Sequence, residues 1–182
     1  MQPLRKFTAG IEKLADRDHY LFSLRDLSAL LPELSPAAFK AVLGRGEKNG
    51  LLQRVCRGLY FYPKVAFPRD LVLYHAAARL RAHEFNYISL ESALSDAGII
   101  SQIPLQWLTL KSSGRSHIVD CADFGKIEFV HTKKKPSDLM TDLVYDERCR
   151  LWRASVALAL KDMVSARRSM ELIDMEAISE LA

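Results

Sequence analysis

The sequence has little cysteine and no long apolar run. Its three cysteines, Cys56, Cys121 and Cys149, are odd in number and widely spaced. That gives neither a disulfide framework nor a zinc-ligand spacing, and a reducing cytoplasm is the simplest compartment. No apolar stretch approaches the roughly 18–20 residues a membrane helix needs. Met1-Gln2-Pro3-Leu4-Arg5-Lys6 leads into no continuous apolar segment, so no secretory signal is expected. The glycine loops that cradle phosphates are missing: there is no GxGxxG and no GxxxxGK(S/T). A GxSxG nucleophile elbow and an HExxH helix are missing too, as are internal repeats and low-complexity tracts. What remains is an ordinary globular composition of 182 residues, 49% apolar and 26% charged, with 8 Gly and 7 Pro. Collagen, low-complexity disorder and a coiled coil are excluded, and the length suits one full domain or two small ones.

The net charge of +4 is unevenly spread. Residues 1–64 carry 11 Lys and Arg against 6 Asp and Glu, residues 65–136 carry 9 against 7, and residues 137–182 carry 6 against 9. The basic front third therefore suits contact with a polyanion, although a basic face can also be merely solvated.

Residues 1–64 read as helix, strand, helix, helix, hairpin. Phe7, Ile11 and Leu14 recur at helical spacing over residues 4–16. Tyr20–Leu24 reads as a short strand, and Ser23 or Leu24 opens a second helix that stops near Pro32. Ser35-Pro36 starts a third helix, because Ser caps orphan N–H groups and Pro needs no partner at the first helical position. Asn49-Gly50 closes it. Leu51–Cys56 and Leu59–Pro63 flank Arg57-Gly58 as a hairpin. Three helices followed by a hairpin is the order of a winged helix-turn-helix. Phe67-Pro68 marks the boundary, giving domains at 1–66 and 67–182 in an α+β chain. The second domain reads as a helix over 69–83, an extended Tyr87–Ser89, and a short helix ending at Ala97-Gly98 with Ser89 and Ser92 as usable caps. Strands follow near 106–111, 115–121 and 126–131, then a long helix over 147–168 and a short amphipathic helix at the end.

With Phe39, Val42 and Leu43 facing inward, the third helix turns Ala37, Lys40, Ala41, Gly44, Arg45 and Lys48 outward. Small residues permit close backbone approach, and cations reach phosphates or base edges, as a recognition helix in a major groove requires. The alternative is a solvated basic face, and Gly44 and Gly46 lower helix propensity. Arg54, Arg57 and Lys64 place cations on and beside the hairpin, where a wing would track the DNA backbone. Lys40, Arg45, Lys48, Arg54, Arg57 and Lys64 are thus the candidate DNA-binding residues; the competing use of this surface is protein–protein contact. The second domain offers little chemistry. His117, Asp120 and His131 match no metal spacing, so no metal, cofactor or catalytic residue is expected, and the chain is not read as an enzyme. Lys133-Lys134-Lys135 is a solvated loop or a second phosphate or acidic-partner contact. Two alternatives stay open. A ligand sensor would use Tyr74, Phe85, Trp107 and Trp152 as its pocket. An enzyme on nucleic acid would use Asp120, Asp123 and Glu128.

Three stretches carry a resemblance to the AbiEi-type antitoxins of bacterial abortive-infection systems, the type IV toxin–antitoxin group. Arg57-Gly58-Leu59-Tyr60 is similar to that family's closing strand of the wing. Tyr87-Ile88-Ser89-Leu90-Glu91-Ser92-Ala93-Leu94, continuing to Gly98-Ile99, resembles its middle signature. The strands around Trp107–Leu110 and Lys126–His131 fall where the family places its sheet. One departure stands out. The family often carries Ala, Pro, Glu, Ala and Asp along the helix after the sheet, and here Ala154, Ala159 and Asp162 agree while Val156 and Ala157 replace Pro and Glu. The resemblance implies an N-terminal winged helix that binds inverted repeats in its own promoter and represses the operon. It further implies a C-terminal α/β antitoxin domain that counters a nucleotidyltransferase-like toxin, without implying a stable complex. Double-stranded DNA and that toxin are the implied partners, phage defence the implied role, and no membrane is involved.

Overall fold

Helix starts in the first unit are set by residues three apart. In α2 (Leu24–Ala29) the Ser23 hydroxyl accepts from the Asp26 N–H at 3.2 Å while the Asp26 carboxylate accepts from the Ser23 N–H at 2.7 Å. This reciprocal capping box satisfies two orphan donors. In α3 (Pro36–Lys48) the Ser35 hydroxyl accepts from the Ala38 N–H, with Pro36 at the first position. α1 (Pro3–Leu14) also opens on a proline. Asn49 caps α3, and Gly50 follows at φ +68°, where a side chain would be strained.

The computed structural model describes residues 2–101 and 106–180. The chain divides into two units, residues 1–72 and 73–182. The boundary expected at 66/67 lies upstream of this division, before a 3-10 turn at Arg69–Leu71 that leads into α4 (Val72–Leu80).

In the first unit β1 (Leu21–Ser23), β2 (Gln53–Cys56) and β3 (Leu59–Phe61) form an antiparallel sheet in the order β1-β3-β2. Phe7 and Ile11 of α1, Leu27 of α2, Val42 and Leu43 of α3 and Tyr60 of β3 are buried in one core. Phe39 is half-buried and meets Phe7 edge to face.

The second unit continues with β4 (Asn86–Ile88), α5 (Leu90–Asp96), β5 (Trp107–Ser112), β6 (His117–Asp120), β7 (Lys126–His131), β8 (Leu143–Asp146), β9 (Leu151–Ala154), α6 (Val156–Ser165) and α7 (Met175–Glu180). Its sheet runs β6-β7-β5-β4-β9-β8, with β5–β7 and β4–β9 parallel and the other pairs antiparallel. Alternation along β5 gives the sheet two characters. Leu108 and Leu110, opposite Ile127 and Phe129, make an apolar face. Thr109 and Lys111 turn the other way, to the side where Thr109 meets Ser92 of α5.

One expectation is corrected here. Residues 147–168 are not one helix: Leu151–Ala154 form β9, and the helix starts at Val156 with Ser155 as its cap. The apolar residues Leu151 and Trp152 fit either period, and pairing with β4, where Trp152 stands opposite Tyr87, decides for the strand. The added strand β8 comes with it. The chain is α+β, and among the described residues no helix is long and apolar enough to cross a membrane.

Candidate nucleic-acid interface

The outward row of α3 is Ala37, Lys40, Ala41, Gly44, Arg45 and Lys48, and all six are exposed. Beside it, the turn between β2 and β3 carries Arg57 and Gly58, with Gly58 at φ +83°. Between α2, α3 and this hairpin lies a hollow of about 690 Å³. Phe39, Leu43 and Tyr60 give it an apolar wall, and Arg25, Lys40, Arg54 and Arg57 give it four cations. Three of the sequence-chosen residues, Lys40, Arg54 and Arg57, therefore meet around one concavity. Arg45 and Lys48 lie along the same exposed row of α3 without lining it, and Lys64 stands exposed beyond β3.

Arg25 was missed in the sequence. It sits in the first turn of α2, where the helix dipole disfavours a cation. A cation placed against that preference, one helix ahead of a basic one, was the available signal.

The cations differ in how they are held. Arg54 donates from Nη2 to the Tyr60 hydroxyl at 3.1 Å, and its guanidinium lies 5.6 Å from that ring's centroid. Its Nε is 3.8 Å from the Glu47 carboxylate. The hydrogen bond to Tyr60, with help from the Glu47 charge, moves the Arg54 pKa further up. Arg25, Lys40, Arg45, Lys48, Arg57 and Lys64 have no side-chain hydrogen bond or ion pair among the described residues. A cluster of unpaired like charges lowers its self-repulsion by meeting a polyanion.

The second unit buries a small group of polar side chains. Asp162 of α6 is fully buried; its Oδ2 accepts from the Tyr87 hydroxyl at 2.9 Å and from the Ser89 hydroxyl at 2.8 Å. Its Oδ1 accepts from Lys134 Nζ at 2.8 Å. Burial, followed by the Asp162 charge, pushes the Tyr87 phenol well above its usual range. Burial also pulls the neighbouring Lys111 ammonium down, opposed by Asp162. Ser89 occupies the N-cap position of α5 but gives its hydroxyl to Asp162, so it does not cap with its side chain as expected. Ser92 is likewise used inside, donating to the Trp107 carbonyl and accepting from the Thr109 N–H. The turn into α5 passes through Leu90 at φ +57°, a left-handed conformation that costs about 1–2 kcal/mol. Within the Lys133–Lys135 run, the middle lysine is tied to Asp162 while its neighbours are exposed. Val156 and Ala157 open the first turn of α6, so the departure from the family pattern falls on helix-start positions, away from the Asp162 contacts.

The remaining candidates do not converge. The Tyr74 hydroxyl donates to Asp96 and Trp107 Nε1 donates to Glu128, whereas Phe85 and Trp152 share one hollow. Glu128 is also paired with Arg168, Asp120 accepts from the Ala122 N–H, and Asp123 is exposed. His117 is exposed on β6, and His131 Nδ1 lies 2.9 Å from the Gly114 carbonyl. Among the described residues no group of three or more His, Cys, Asp or Glu is arranged to hold a metal ion.

Residues 11–63 match the family model described as a transcriptional regulator, AbiEi antitoxin. That span takes in α2, α3 and the β2–β3 hairpin, so the resemblance holds for the part of the chain that carries the basic hollow. No curated protein matches the chain.

Proposed function

We propose that the protein is a DNA-binding transcriptional regulator that also acts as the antitoxin of an abortive-infection system. Residues 1–66 work as a winged helix-turn-helix. α3 enters the major groove, where Arg45 and Lys48 reach base edges or phosphates, and the β2–β3 hairpin is the wing. Arg54, Arg57 and Lys64 hold the phosphate backbone, which positions the protein without reading sequence. The target is its own promoter, at inverted repeats, and binding represses the operon. Residues 67–182 carry the antitoxin activity against a nucleotidyltransferase-like toxin in a type IV system serving phage defence. The protein acts in the cytoplasm, and as a regulator rather than an enzyme. The observation that carries this reading is the set of unpaired cations gathered on α3 and the hairpin, within the span that matches the regulator family.

The test is a gel-shift titration against the native upstream region and a shuffled control, at two salt concentrations. Specific, salt-weakened shifting of the native fragment is expected, because phosphate contacts release counterions. Equal binding to both fragments would remove the repressor reading. Rescue of growth from a co-expressed toxin tests the antitoxin half. A second reading, a regulator switched by a small ligand, is favoured by the hollow that Phe85 and Trp152 share.

A further inference from the structure

The basic hollow of the first unit is more apolar than phosphate binding requires. Its wall carries Leu24, Phe39, Leu43 and Tyr60, and Gly44 and Gly58 line it without adding side chains. Leu24 is the most exposed of the four apolar residues, at 42% on the first position of α2. Cations reach this apolar wall from three elements: Arg25 from α2, Lys40 from α3, and Arg54 and Arg57 from the hairpin. Arg25, Lys40 and Arg57 have no side-chain hydrogen bond or ion pair among the described residues. Glu47 is the one acid among the described lining residues, and it already faces Arg54 Nε at 3.8 Å.

Duplex DNA uses only part of this surface. It offers phosphates to the cations, but its groove presents little apolar surface beyond the thymine methyl group. A hollow of about 690 Å³ has the size that encloses a partner's apolar groups. Because the cations stand on three elements, an occupant needs acids on more than one side of its apolar stripe. A helix supplies both parts. Anchors at i, i+3 or i+4, and i+7 enter an apolar groove, and carboxylates flanking that stripe meet arginines in charge-assisted hydrogen bonds.

We propose that this hollow docks an acidic amphipathic helix of a partner protein, which displaces DNA by covering the same cations. The displacement rests on the DNA-binding reading; the docking does not.

The test follows backbone amide resonances of the isotope-labelled full chain during peptide titration. The probe is a synthetic helix of about 18 residues, built from alanine, glutamate and leucine, with the leucines in one stripe and glutamates beside it. One control is a scrambled peptide of the same composition, which spreads the leucines round the helix. The other replaces each leucine by alanine. The Gly44 and Gly58 amides, which line the hollow from two sides, are expected to shift with the probe, and its affinity should exceed that of either control by about tenfold. Leu24→Gln should lower probe affinity by about tenfold and leave promoter binding in a gel shift unchanged. Arg25→Ala with Arg57→Ala should weaken both. The probe should also release bound promoter DNA at concentrations where the controls do not.

No shift at Gly44 and Gly58 with millimolar probe overturns the proposal. Equal affinity for probe and controls does so as well, because it reduces the hollow to a charged surface, and this comparison needs no variant to fold. Peptide docking without any promoter shift would uphold the docking and remove the DNA-binding reading; promoter binding without docking would do the reverse.

Discussion

The Tyr87 hydroxyl donates to the Asp162 carboxylate at 2.9 Å, joining two residues 75 apart in the sequence. Tyr87 belongs to the middle signature and Asp162 to the helix after the sheet. Two stretches far apart in the sequence, the one around Tyr87 and the helix after the sheet, are therefore the two sides of one buried hydrogen bond. Ser89 makes the same contact two residues on, as strand alternation requires.

Truncating Asp162 strips acceptors from Tyr87, Ser89 and Lys134 together. Asp162→Ala is expected to lower stability by about 3–5 kcal/mol, the scale of breaking a buried pair from one side. Asp162→Asn keeps one acceptor oxygen and should cost less. Urea unfolding checks both, and a loss below about 1 kcal/mol in Asp162→Ala would mean that other packing holds the α6–β4 contact.

Acid should weaken the second unit through Asp146. Burial by itself would raise its carboxyl, but the Cys149 N–H and the Arg153 guanidinium, 2.9 Å away at Nη2, outweigh burial and hold it at about 2. The folded value lies below the ordinary 3.8. The stabilisation is therefore complete above about pH 5 and lost as pH falls through about 2, and it amounts to about 2 kcal/mol. Asp146→Asn should lose it at neutral pH and flatten the acid limb of a stability–pH curve between those limits. An acid limb identical to the parent's would remove Asp146 as its source.

Gly44 separates stability from binding. It is exposed in the middle of α3, and a methyl group added there would meet nothing within 4 Å. Gly44→Ala should therefore stabilise the helix by about 0.5–1 kcal/mol. If α3 lies in a groove with its backbone close to DNA, the same substitution weakens promoter binding. Melting and gel shift on one variant should move in opposite directions; a higher melting temperature with unchanged affinity would place Gly44 outside the contact.

Arg25 and Arg57 face the same hollow from α2 and from the hairpin. As phosphate contacts, each should reduce the salt slope of promoter binding by about one when changed to alanine, while weakening native and shuffled DNA alike. Neither has a side-chain partner to lose among the described residues, so melting should stay close to the parent's. An unchanged slope in the double variant would move the DNA contact away from the hollow. Arg45→Ala is expected instead to narrow the difference between native and shuffled fragments.

What the sequence by itself determined is local. Ser23 and Ser35 cap helices by bonds to residues three positions on. Gly50 and Gly98 close helices in the left-handed region at φ +68° and +76°. The exposed row from Ala37 to Lys48 follows from helical period alone. All of these depend on neighbours within about a helical turn, so composition and spacing suffice to read them. The tertiary structure decided the rest. Leu151–Ala154 became a strand because β4 and β8 were there to pair with it, and Ser89 gave up its capping bond because Asp162 lay above it. Arg25 joined Lys40, Arg54 and Arg57 because a hairpin folded back beside α2. Each of those outcomes depends on a partner far away in the chain. An unpaired strand edge or a buried carboxylate is satisfied only by what the fold brings to it.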